Sequence, residues 1–263
     1  MRFAMGIEYD GSAFLGWQIQ KQEPTVQACV EKALARVADE DVRVHCCGRT
    51  DTGVHALCQV IHFDSLAERT ERSWVLGVNR YLSRGISVLW FRAVDDEFHA
   101  RFSAFARSYR YRILNRPIRP ALGAQYTSWC RKPLDAEVMH TAAQVLLGEH
   151  DFSAFRASAC QARHPVREIQ QIEVSRKAQE VQLDITANGF LYHMVRNIAG
   201  SLMAIGTGAK PVHWIDELLS SRDRTQAAAT AAPEGLYFVG ARYPDQYSLP
   251  QGSVDFPAGR ISS

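Results

Sequence analysis

The turn Gly48-Arg49-Thr50-Asp51-Thr52-Gly53-Val54-His55-Ala56 sets two glycines, an arginine, an aspartate and a histidine between two strand-like runs, 42–46 and 57–63. Val42, Val44 and Cys46 alternate in the first run and the second is apolar-rich, so the stretch reads as strand, loop, strand with Asp51 at the tip. Glycines admit backbone angles and close approaches that other residues cannot, which holds the polar side chains between them where a ligand can reach. Such a unit needs further strands and helices to bury its faces.

The chain supplies them in α+β order. Residues 2–9 alternate, with Phe3, Met5, Ile7 and Tyr9 on one side, and end at an Asp10-Gly11 turn. Thr25 caps a helix whose apolar face is Val26, Val30, Ala33, Leu34 and Val37. Trp74, Val75, Val78, Tyr81 and Leu82 recur at helical spacing, and 86–94 is strand-like. A second half opens at 108–114, where Tyr109, Tyr111 and Ile113 share one face and Arg110 and Arg112 the other. There follow a helix over 134–147 (Val138, Met139, Ala142, Val145 and Leu146 inward) and a hairpin of 168–175 with 181–185. A helix over 190–205 with Arg196 in its second turn, a helix over 212–219 and a strand over 236–241 complete the half. The reading is two α/β halves, 1–104 and 105–243, meeting near Phe98, then a loosely ordered tail, 244–263, with several Pro, Gly and Ser residues.

With 46% hydrophobic and 22% charged residues, the chain belongs with ordinary globular proteins and not with disordered or fibrous ones. No run approaches the roughly 18 apolar residues of a membrane helix. The start, 1–10, lacks a long apolar region and already reads as structure, so no membrane and a cytoplasmic location are expected. Six cysteines without a C-x-x-C pair are read as reduced thiols. A zinc site drawn from His45, Cys46, Cys47, His55, Cys58 and His62 is disfavoured, because adjacent strand residues face opposite ways and the spacings are not those of usual sites.

The net charge of +2 conceals an uneven distribution. Between His99 and Leu134 there is no Asp or Glu, yet the stretch carries Arg101, Arg107, Arg110, Arg112, Arg116, Arg119, Arg131 and Lys132. Interleaved with Phe102, Phe105, Tyr109 and Tyr111, these cations suit a polyphosphate ligand that offers bases to stack on, or else form a solvated basic face.

Asp51 is open to several readings: nucleophile, general base, metal ligand, or an acceptor that pins its own turn. Arg196, on an otherwise apolar helix face, is either its long-range partner or an exposed cation. Tyr109 is a core residue or a stacking platform, and His55 and His62 are read as loop or core histidines.

Four co-linear motifs narrow these alternatives: Gly48 to Ala56, Phe98-His99-Ala100-Arg101-Phe102, Tyr109-Arg110-Tyr111 and His193-Met194-Val195-Arg196-Asn197. Together they resemble the signatures of the tRNA pseudouridine synthase A family, and the match runs from Gly6 to about Tyr243. The resemblance implies an isomerase, without cofactor or metal, that converts uridines 38, 39 and 40 of the tRNA anticodon stem-loop to pseudouridine. It also implies the pseudouridine synthase fold, two similar ferredoxin/RRM-like halves in a continuous mixed, mainly antiparallel sheet with flanking helices, and a homodimer that takes tRNA as its partner. Carried over by residue, Asp51 is the catalytic nucleophile, Tyr109 contacts the target base, Arg196 pairs with the aspartate, and Arg49 helps hold the nucleotide out of the stack. Phe98, His99, Ala100, Arg101 and Phe102, and Ala159, Cys160, Gln161, Ala162 and Arg163, are implied to form two RNA-contacting loops. Thr52, Cys47 and Ser108 depart from the family pattern without removing a catalytic group.

Overall fold

Residues 1–21 and 24–250 are described by the computed structural model. The strands are β1 (Arg2–Tyr9), β2 (His45–Cys46), β3 (His55–Asp64), β4 (Ile86–Val94), β5 (Ala106–Asn115), β6 (Ser128–Cys130), β7 (Gly148–Asp151), β8 (Val166–Lys177), β9 (Glu180–Ala187) and β10 (Leu236–Arg242). The helices are α1 (Val26–Ala38), α2 (Glu71–Tyr81), α3 (Ala136–Ala143), α4 (Met194–Gly206) and α5 (Trp214–Ser221). All ten strands join one sheet in the order β4-β1-β3-β10-β5-β9-β8-β7, with β2 added to β3 and β6 to β5. It is a mixed sheet, antiparallel except where β10 meets β3 and β5 meets β6.

The last strand in sequence lies in the middle of the sheet. Tyr237 and Phe238 of β10 pair with His55 and Ala56 of β3, and on the other edge Phe238 pairs with Tyr109 of β5. β10 therefore joins strands β1–β4 on one side of the sheet to β5–β9 on the other. Two cores flank the junction. One gathers Leu34, Phe63, Trp74, Phe91 and Phe98 and takes in Phe238 and Tyr243. The other gathers Tyr111, Met139, Phe152, Leu183 and Ile198 and takes in Val54. Tyr109, partly buried, packs against both.

Several elements differ from the sequence expectation. Val42 and Val44 are buried, but only His45 and Cys46 pair with β3, since the Val44 N–H is spent on the Glu31 carboxylate at 3.0 Å. Alternation there reports burial, not a ladder. The helix expected over 134–147 begins after Asp135, whose carboxylate accepts from the Glu137 and Val138 N–H groups, and gives way to a 3-10 turn at Gln144–Leu146. The tighter winding leaves Val145 exposed while Leu146 stays buried. Gly148, at φ +88°, then opens the edge strand β7, which its polar sequence did not signal.

The helix expected over 190–205 starts four residues late, at Met194, after His193 at φ +60°. Arg196 accordingly stands in its first turn. The helix expected over 212–219 is shifted to Trp214–Ser221, with Val212 exposed ahead of it. The tail is tied down in part: the Tyr247 ring lies 5.0 Å from that of Phe98, and Leu249 packs on the first core. The remainder of the expected tail, 251–263, lies outside the described residues. Among the described residues no helix is long and apolar enough to cross a membrane.

Candidate functional site

The loop between β2 and β3 is held by groups the apolar pattern of β3 conceals. Gln59, fully buried, donates from Nε2 to the Gly48 carbonyl at 2.5 Å and accepts the Gly48 N–H at 3.3 Å. The Thr50 hydroxyl shares a buried 2.7 Å hydrogen bond with Tyr9 Oη, and the Thr50 carbonyl accepts the Trp17 N–H at 3.0 Å. Gly16, at φ +85°, passes so close to that carbonyl that a Cβ would stand 2.8 Å from it. The Val54 N–H closes the turn onto the Asp51 carbonyl at 3.1 Å. With its backbone so fixed, the loop leaves Arg49 and Thr52 exposed and Asp51 half-buried.

Asp51 faces the start of α4. Its Oδ2 lies 3.4 Å from Arg196 Nη1 and 3.1 Å from His193 Nε2. Arg196 is fixed from behind: Nε donates to the Ala231 carbonyl at 2.8 Å, and the Ala231 N–H returns to the Arg196 carbonyl at 3.1 Å. One residue on, buried Asn197 donates to the Phe155 carbonyl and accepts from Arg224 and the Thr230 hydroxyl. A satisfied buried network of this kind makes the first turn of α4 a rigid mount. Burial lowers the His193 imidazole below its ordinary range; Arg196 and Arg224 push the same way and Asp51 opposes them.

Tyr109 lies beside the same loop. Its ring is met edge-on by Phe190 at 5.0 Å and Phe238 at 5.2 Å, and its hydroxyl points toward Gly48. Burial, reinforced by the neighbouring Cys47, Tyr9 and Asp51, pushes this phenol far above its usual range, so it stays protonated.

The two implied RNA loops divide into inward and outward residues. Phe98 and Ala100 are fully buried, so neither side chain reaches the surface of its loop. Phe98 packs in the first core, while the Ala100 N–H donates to His62 Nδ1 and its carbonyl accepts from the Tyr243 hydroxyl. His99 turns back to accept the Arg101 N–H at 3.1 Å, leaving Arg101 and Phe102 exposed. In the second loop Ala159, Gln161 and Arg163 are exposed and Cys160 and Ala162 half-buried. Arg156 braces it by donating to the Cys160 and Ala162 carbonyls, and the Tyr192 N–H donates to Cys160 Sγ at 3.4 Å.

The strip free of acids in sequence is not free of them in space. Arg110 is gripped by both oxygens of Asp184, at 2.6 and 3.1 Å, and Arg112 by Glu180 at 2.8 and 2.7 Å. β9 delivers these carboxylates, so the two arginines are not uncompensated cations. Arg107 donates to the carbonyls of Ala104 and Asn188. Arg101, Arg119, Arg131 and Lys132 remain exposed.

His55 and His62 serve the framework. His55 accepts the Gly11 N–H at 3.0 Å, lies 2.9 Å from the Gln125 carbonyl and stacks on Tyr237. With one ring nitrogen of each histidine engaged by a backbone N–H, the pair is poorly disposed to ligate zinc. Among the described residues no group of three His, Cys, Asp or Glu side chains could hold a metal ion.

His193 received no role from its residue type or spacing, because it fell inside a run read as helix. The signal was nonetheless present: residues 193 and 196, three apart at a helix start, share a face, so a partner of Arg196 is within reach of His193 as well.

A family model described as tRNA pseudouridine synthase matches residues 5–103 and 142–244. The tRNA pseudouridine synthase A of Xylella fastidiosa (strain M23) is 57% identical over 251 residues, 95% of this chain and 98% of that one. Its counterpart in Stenotrophomonas maltophilia (strain K279a) is 55% identical over 251 residues, again 95% and 98%. That of Methylococcus capsulatus is 53% identical over 254 residues, 97% of this chain and 94% of that one.

Proposed function

Because the chain belongs to the tRNA pseudouridine synthase family and is an isomerase of uridine in tRNA, we propose that its targets are uridines 38, 39 and 40 of the anticodon stem-loop, with Asp51 as nucleophile. The observation that carries the catalytic part is the Asp51 carboxylate, mounted on a fixed turn with Arg196 3.4 Å away and Tyr109 near enough for its phenol to feel the carboxylate charge. Isomerisation breaks the N1–C1′ bond, turns the uracil, forms a C5–C1′ bond, and gives up the C5 proton while N1 takes one, so that product and substrate have the same composition. Electrons are conserved throughout, and one carboxylate that adds to C1′ or C6 is sufficient.

The target atom is inaccessible in a stacked arm, so the nucleotide is extruded toward Asp51. Tyr109 offers the base an aromatic face, and Arg49, exposed beside Asp51, fills the place the nucleotide leaves. Arg101, Phe102, Gln161 and Arg163 stand outward on the two loops, and the exposed cations hold the arm through its phosphates without reading its sequence. The division into halves at 104/105, the homodimer and a cytoplasmic location belong to the same proposal. Pseudouridine mapping in tRNA from cells with and without the protein tests it: loss of the modification at 38–40 alone supports the assignment, and loss elsewhere refutes it.

A further inference from the structure

Arg196 and His193 both make their nearest approach to the same oxygen of Asp51, at 3.4 and 3.1 Å, while among the described residues Oδ1 accepts no hydrogen bond. His193 is held for this contact. It occupies the left-handed backbone position that starts α4, a conformation seldom adopted by a residue with a side chain, and its ring stacks on Tyr192 at 3.9 Å. Tyr192 is itself tied to Cys160 of the outer loop through its N–H. Strain of this kind persists where surrounding structure over-determines it, and it clusters at active sites.

We propose that His193 is a positioning residue which, with Arg196, occupies Oδ2 of Asp51 and thereby leaves Oδ1 as the oxygen that attacks. This rests on Asp51 being the nucleophile. The groups facing the imidazole are Asp51 from the β2–β3 loop, Arg196 on α4, and Arg224 after α5, with Tyr192 stacked against the ring. Two cations and burial against one carboxylate disfavour the protonated ring, so that Nε2 meets Oδ2, 3.1 Å away, as part of a neutral imidazole. A protonated ring turns this contact into a second full ion pair and withdraws charge from the nucleophile. His193 thus sets the acid limit of turnover as well as the orientation of the carboxylate.

Single-turnover rates from pH 5 to 9 test this in wild type, His193→Gln and His193→Ala, with Asp51→Asn in parallel and tRNA binding as the check on folding. Removing a polar neighbour that lies against a half-buried carboxylate costs about 10- to 100-fold in rate, the loss expected for His193→Ala at pH 8. His193→Gln keeps a donor near the Nε2 position, so it retains most of the rate at pH 8 and loses the acid limb seen in wild type. An unchanged acid limb in His193→Gln, or wild-type rates in His193→Ala, overturns the proposal. Asp51→Asn separates the two claims: turnover in that variant refutes the nucleophile, whereas an inactive Asp51→Asn beside an unaltered His193→Gln profile refutes only the role of His193. Imidazole NMR supplies a readout independent of turnover. The His193 titration moves to lower pH in Asp51→Asn, because the carboxylate favours the protonated ring, and an unmoved titration contradicts the contact.

Discussion

The side-chain amide of Gln59 clasps the backbone of Gly48 at both of its polar groups, accepting the N–H at 3.3 Å and donating to the carbonyl at 2.5 Å. Gln59 is fully buried within β3, between the strand's other two buried polar residues, His55 and His62. The carboxylate loop is thus anchored by the strand that follows it, and the position of Asp51 inherits the rigidity of the sheet.

Replacing Gln59 by Met keeps the volume and removes both hydrogen bonds, leaving the Gly48 N–H and carbonyl unpaired. Two such groups cost about 2–4 kcal/mol together. Urea unfolding of Gln59→Met is expected to show that loss, and steady-state kinetics a fall in kcat larger than any rise in KM, since the loop is displaced more than the RNA surface.

Acid lability follows from His62. Burial, aided by the charges of His99 and His45, lowers its pKa to about 3 in the folded protein, against about 6.5 when unfolded. The unfolded chain therefore binds the proton that the folded chain refuses, and stability falls as pH drops through the window between those values. The slope reaches about 1.4 kcal/mol per pH unit and fades above about pH 7.5, as the unfolded histidine also becomes neutral. His62→Asn preserves an acceptor for the Ala100 N–H but does not titrate, so unfolding midpoints measured from pH 7.5 to 5 are expected to flatten in that variant.

The cations are expected to divide by their partners. Arg101 is exposed and Arg110 is neutralised by Asp184. Arg101→Ala should weaken tRNA binding and reduce the slope of log K against log salt by about one. Arg110→Ala should leave the slope unchanged. Equal effects of the two substitutions would mean that Asp184 releases its arginine when RNA binds.

Much of this architecture was legible because it is local. Alternation in β1, β4 and β5, the Thr25 cap and the β8–β9 hairpin all follow from spacing, and the four motifs pointed to Asp51, Tyr109 and Arg196. What escaped depends on distant chain. The carboxylates that neutralise Arg110 and Arg112 come from β9, some 70 residues away, so a window of sequence shows only the cations. The inward turn of Phe98 and Ala100 depends on His62, Tyr243 and Tyr247. His193 leaves the helical pattern for a left-handed conformation that periodicity does not encode, and the insertion of β10 between β3 and β5 is a matter of topology.

Asp51→Asn tests the central claim most directly, because the amide keeps the shape of the side chain and removes its charge. With tRNA carrying tritium at C5 of uridine, the account predicts tRNA affinity near that of wild type and no tritium release above background over many wild-type turnovers. Sustained release by the variant would contradict the assignment of Asp51 as the nucleophile.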